Sequence, residues 1–153
     1  MIDRNLDDLD EEIAGEPDPD SIGQFDRCEY MYGVGLVACQ LYLTAIMEKA
    51  NKKDWLARGP KHIISGYSIA EIVYSGGNYV KHNPEELGNK ESIAILKKLD
   101  LWREAGKDSG WVDYLASNLV ATLLAPHPAR FHTLLPWLIQ WRNAVLGSDE
   151  DLT

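Results

Sequence analysis

Between Tyr30 and Met47 the chain runs for eighteen residues without a charged side chain, and no other feature narrows the fold as much. A run this long and apolar fits a bilayer core or the middle of a protein whose other elements pack around it. Gln40, Thr44, Gly33, Gly35 and three tyrosines dilute the run, and no other segment resembles it. It reads as the long central helix of a bundle, with the two glycines permitting close helix contact, and no membrane span is expected. Ser21-Ile22-Gly23-Gln24 has capping-box spacing, which starts this helix at Ser21 and lets it run to about Lys52.

The other elements also read as helices. Ile2, Leu6, Leu9 and Ile13 recur at helical intervals, and Gly15 and Pro17 end a short amphipathic helix over residues 2–14. Ser68 can cap a helix from Ile69 to about His82, with a stripe of Ile69, Ile72, Val73, Gly76, Tyr79 and Val80 and an end at Asn83-Pro84. Residues 90–104 predict another, terminated before Gly106. Ser109 starts a helix that packs Val112, Leu115, Leu119 and Leu123. After Ala125-Pro126-His127-Pro128, residues 129–146 predict a last, strongly apolar helix bent at Pro136. No segment alternates as a strand does. The expected fold is all-α, a helical bundle of about five to six helices.

The net charge of −9 is unevenly placed. Residues 1–20 hold nine acids against Arg4, the tail Asp149-Glu150-Asp151 is acidic, and residues 21–148 carry fourteen bases against twelve acids. The expected organisation is an acidic N-terminal segment and linker (1–20), a bundle domain (21–148) and an acidic tail (149–153). An acidic field disfavours nucleic acid, but that objection falls on the ends and not on the near-neutral body. Lys49, Lys52, Lys53, Arg58 and Lys61 make one loop basic, either as a solvated loop or as a docking surface for phosphate or for the acidic segment. Cys28 and Cys39 share a helix, roughly 16 Å apart along its axis, so they read as reduced thiols. The first residues do not form a secretory signal, and a cytoplasmic location is expected.

Chemistry concentrates on the helix 69–82. Glu71, Ser75, Asn78 and His82 recur at four, three and four, lining one polar face with Lys81 beside it. Histidine supplies acid or base chemistry near neutral pH, and an asparagine one turn earlier can orient a substrate or the ring. Glu71 and Ser75 are support positions. Gly76-Gly77 costs up to about 1 kcal/mol per glycine in a helix, so it signals a close neighbour, a kink or ligand access. A second protomer could be that neighbour, which makes a homodimer through this helix one expectation.

Gly77-Asn78-Tyr79-Val80-Lys81-His82, ending a helix in an all-helical chain of this size, resembles the motif of HEPN domains. That motif is an arginine, commonly a polar residue next, three more residues and a histidine. The family's members are helical bundles that often dimerise, and many are metal-independent ribonucleases of bacterial defence and toxin–antitoxin systems. The resemblance implies catalytic roles for Asn78, Lys81 and His82: His82 as general base or acid, Asn78 holding a phosphate oxygen or the ring, and Lys81 offsetting charge while the RNA 2′-hydroxyl attacks. Gly77 occupies the arginine position, so the motif is degenerate there, and lysine is not equivalent to arginine at a phosphate.

A second reading is a non-catalytic acidic interaction protein, such as an immunity protein, an antitoxin or a phage-encoded inhibitor, whose N-terminal segment binds a basic surface of a protein partner. Deleting residues 1–20 separates the two. No phosphate loop, dinucleotide fingerprint, zinc spacing or nucleophile elbow is present, so neither cofactor nor metal is expected. His127 and His132 do not share a helical face, and Trp137 and Trp141 read as core or interface residues.

Overall fold

The structure, a computed structural model, describes residues 1–50, 54–82, 90–103, 110–111 and 113–147. Those residues form six helices: α1 (Ile2–Gly15), α2 (Gln24–Ala50), α3 (Ile69–His82), α4 (Lys90–Lys98), α5 (Leu115–Leu124) and α6 (Phe131–Leu146). A two-residue antiparallel ladder, β1 (Trp102–Arg103) with β2 (Gly110–Trp111), lies between α4 and α5. The fold is an all-α bundle. Its hub is α2, which packs against α1, α3, α5 and α6.

The core is built from the apolar stripes of the surrounding helices. Leu36 and Leu43 of α2 meet Ile72 and Val73 of α3, Leu119 and Leu123 of α5, and Leu134 and Trp141 of α6. Trp141 is fully buried and donates its indole N–H to the Trp55 carbonyl at 3.0 Å. Cys28 and Cys39 are both free thiols on α2. Burial pushes the Cys39 thiol up to about 11, so it is protonated at neutral pH.

Three helix boundaries differ from the sequence expectation, each for a visible reason. Ser21 does not cap α2. Its hydroxyl donates to the Asp18 carbonyl, Gly23 takes a left-handed conformation, and Gln24 turns its amide toward Glu12. Helix α4 stops at Lys98 instead of reaching 104. Asp100 adopts φ 59°, Asp100 N–H donates to Lys97 O and Leu101 N–H to Leu96 O, which is the Schellman pattern. Leu96 and Leu101 supply its apolar clasp, and both are buried. Helix α5 starts at Leu115, after a left-handed Tyr114. The expected boundary residues Ser109, Val112, Asn83, Pro84 and Gly106 lie outside the described residues, as does the tail.

By contrast, Ser68 caps α3 as expected. Glu71 N–H donates to Ser68 Oγ at 3.0 Å, and Ser68 N–H donates to Glu71 Oε2 at 2.6 Å, a complete capping box.

Two other helices are capped from a distance. The Glu29 carboxylate on α2 accepts from the N–H groups of Ala116 and Ser117 at the start of α5, at 2.6 and 2.8 Å. The Asp3 carboxylate on α1 accepts from Phe131 and His132 N–H at the start of α6, at 2.7 and 2.9 Å. Just before α6, the buried Arg130 donates to Asp7 and Asp10 of α1 and to the Ala129 carbonyl. Burial opposes the Arg130 charge, but the two aspartates outweigh it and hold the guanidinium protonated. Arg27 and Glu12 add an exposed pair at 2.8 Å. The acidic face of α1 thus meets Arg130, Arg27 and the α6 N-terminus. Among the described residues no ion pair joins it to Arg58 or Lys61.

Asp3 carries a pH dependence. Burial raises its carboxyl, but bonds from the His132 and Phe131 backbone, with the His132 ring, outweigh burial and hold it below the ordinary aspartate value. With the folded pKa below the unfolded one, its stabilisation is complete above about pH 4 and is lost as pH falls through the lowered folded value. Asp3→Ala should therefore destabilise the protein by about 1 kcal/mol at pH 7. Denaturant melts from pH 7 down to 2 should show that difference shrinking below pH 4. A difference that stays constant with pH would remove the carboxylate from this role.

Candidate functional site

Helix α3 presents its chemistry differently from the simple wet face the spacing suggests. Glu71 is half-buried and spends one oxygen on the capping box, with Lys61 Nζ 3.8 Å away. Ser75 is buried. Asn78 is half-buried, and its side-chain oxygen accepts from the Gln40 amide of α2, which also reaches the Tyr74 carbonyl. Lys81 and His82 are exposed at the end of the helix and make no hydrogen bond or ion pair among the described residues. Tyr79 and Val80, expected in the buried stripe, are half-buried.

The glycine pair has an internal explanation. A Cβ on Gly76 would lie 2.5 Å from a methyl of Leu119, and one on Gly77 would lie 2.7 Å from Gln40 Cβ. A side chain at Gly77 requires α2 to shift, and one at Gly76 requires the Leu119 side chain to give way. The close neighbours come from within the same chain. Gly77 faces α2, so the arginine position of the motif points into the bundle.

A cavity of about 620 Å³ opens along the polar side of α3, between that helix, the start of α4 and the 54–57 segment. Glu71, Ser75 and Asn78 line it, with the aromatic rings of Trp55, Tyr67 and Tyr74. Among the described residues its charged lining is Asp54, Glu71 and Glu91 against Lys90. The aromatic rings of this lining suit a group that stacks on them. Three of the five candidate residues therefore meet around one cavity, and Lys81 and His82 are not among its lining residues.

A histidine base needs a partner that sets its tautomer and orientation, and none is placed against His82 among the described residues. The side-chain oxygen of Asn78 accepts from Gln40, which leaves its NH2 group as the free donor, and no cation stands at position 77. Gln40 is the residue that sequence reasoning missed. It is the one amide in the uncharged run of α2, and that isolation was its only signal. Its Oε1 is buried and accepts no hydrogen bond among the described residues.

The other sequence candidates have structural partners. His132 Nδ1 lies 2.9 Å from Asp3, Arg130 is held by α1, and Trp141 is core while Trp137 is half-buried against it. Among the described residues no group of three or more His, Cys, Asp or Glu could hold a metal. No protein-family model, no curated protein and no solved structure matches this chain.

Proposed function

We propose that this is a HEPN-like helical protein of a bacterial defence, toxin–antitoxin or mobile-element system, in a degenerate form that works by binding instead of by cutting RNA. The observation that carries this reading is the packing of Gly77 against Gln40. The motif's cation has no room there, and the neighbouring Asn78 is turned to the same glutamine. Asn78 serves the α2–α3 contact, Glu71 serves the helix cap, and the exposed Lys81 and His82 remain as surface groups.

The acidic-arm reading is the weaker of the two on physical grounds. Asp3, Asp7, Asp10 and Glu12 are engaged by Arg130, Arg27 and the α6 N-terminus, so of the nine acids in residues 1–20 only Asp8, Glu11, Glu16, Asp18 and Asp20 are left for a basic partner.

The test is RNA cleavage by purified wild type beside His82→Ala, without added metal. The expected result is no cleavage above background from either protein. Cleavage by wild type that falls by about 100-fold or more in His82→Ala, the size general acid–base catalysis commonly supplies, would sink the degenerate reading and restore His82 as catalytic.

A further inference from the structure

The hub helix is not covered on every side. Only 33% of its apolar window is buried, although four helices pack on it. The open face carries Tyr30, Val34 and Leu41, at 72%, 39% and 57% exposure, together with the exposed Ala38 and Ala45. These five residues follow one another at intervals of four, four, three and four, so they form a single stripe along the helix. A solvated helix face normally carries charge. This one has none until Arg27 at one end and Glu48 at the other, both exposed on the same side.

The stripe reads nearly the same from either end once size and charge are complemented. Laid antiparallel on a copy of itself about a two-fold axis near Ala38, Tyr30 faces Ala45, Val34 faces Leu41, and Ala38 sits near its own copy. The largest side chain meets a small one and the axis falls on a small one, so two backbones can approach. The same register sets Arg27, whose other guanidinium nitrogens remain beside the NH1 that holds Glu12 of its own chain, opposite Glu48, twice, at the two ends of the contact. A parallel arrangement would instead set Arg27 on Arg27 and Glu48 on Glu48. A two-fold interface requires this kind of self-complementarity, in which residue i meets j and j meets i.

We propose that the exposed face of α2 is a self-association surface, on which a second copy of this chain docks antiparallel to form a two-fold dimer. The occupant is another copy and not a lipid surface, because interfacial helices draw on Lys and Arg along their polar margin, and α2 has no charge from Tyr30 to Met47. A bilayer would also have no use for the matched ends. The glycine pair of α3, by contrast, is filled by Leu119 and Gln40 of the same chain and leaves no comparable gap. This inference does not depend on the proposed function.

Cysteine cross-linking tests it on the full chain. In an antiparallel pair, Tyr30 and its own copy lie about 22 Å apart along the axis, whereas Tyr30 and the copy's Ala45 are adjacent. Tyr30→Cys alone and Ala45→Cys alone should give no more oxidised dimer than wild type, whose native thiols serve as the control. An equal mixture of the two variants should cross-link. Sedimentation should show a wild-type dimer that Leu41→Glu weakens about 100-fold or more, since two carboxylates enter each interface. The circular dichroism melt of Leu41→Glu should be nearly unchanged when measured on monomer, because Leu41 is 57% exposed and lies outside the buried core. Cross-linking of either single variant with itself would overturn the antiparallel register. A monomeric wild type at high micromolar concentration would overturn the dimer. So would a monomer that floats with phosphatidylcholine–phosphatidylglycerol vesicles, which would assign the face to lipid.

Discussion

Gly77→Arg, which restores the arginine of the motif, is expected to lower stability by about 3–5 kcal/mol and to confer no RNA cleavage. Two terms, about 4–8 kcal/mol together before relief, lead to that figure. A side chain at position 77 starts 2.7 Å from Gln40 Cβ, so α2 and α3 must separate or the chain must leave its rotamer, a cost of about 1–3 kcal/mol. The guanidinium then sits against the buried, uncharged face of α2 without a carboxylate partner, and an unpaired buried charge costs about 3–5 kcal/mol on its own. Snorkelling toward solvent relieves part of the second term. Gly77→Ala isolates the first, since its gain of about 1 kcal/mol in helix propensity works against the overlap. Urea unfolding of the three proteins measures the series. A Gly77→Arg protein that melts like wild type and cleaves RNA would show that the position faces solvent and that the missing arginine alone silences the site.

Removing residues 1–15 is expected to unfold the protein or leave it molten, because α1 belongs to the core it covers. Leu6 and Leu9 are buried, and each contributes about 1.5–3 kcal/mol relative to exposure. The Asp3 cap of α6 adds about 1 kcal/mol. Arg130, buried beside Tyr32, loses both aspartates and keeps its charge. Together these approach the roughly 5–15 kcal/mol that holds a domain folded. Near-ultraviolet circular dichroism and the cooperativity of the thermal melt read the result. A truncated chain with a native melt would mean that α1 is a detachable arm. The deletion is therefore a poor probe of acidic-partner binding. Asp8→Lys with Glu11→Lys is the better one, because neither side chain has a partner among the described residues and the melt should not move.

The structure also accounts for what was legible before it. The helices were visible because amphipathic spacing is a local property: Ile2, Leu6, Leu9 and Ile13 define α1, and Ser68 with Glu71 three residues on defines the start of α3. The uncharged run of α2 marked the hub for the same reason, since nothing but apolar neighbours suits it. Where a boundary depended on a left-handed residue the reading failed. Asp100, which ends α4, and Tyr114, which precedes α5, are not glycines, and hydrogen bonds and packing made only in the folded chain hold them there.

The candidate site divides the same way. The polar spacing of Glu71, Ser75, Asn78 and His82 was a property of the sequence, because a helix puts those intervals on one side. Which of them would meet a partner was not. Gln40 is 38 residues from Asn78, Glu29 is 87 from the helix end it caps, and Asp3 is 128 from Phe131. Periodicity within one helix carries no information about which face of another helix will press against it. The sequence by itself determined a bundle of helices around one apolar rod. The tertiary structure decided that Gly77 lies inside it, that α1 caps α6, and that one face of the rod is left open.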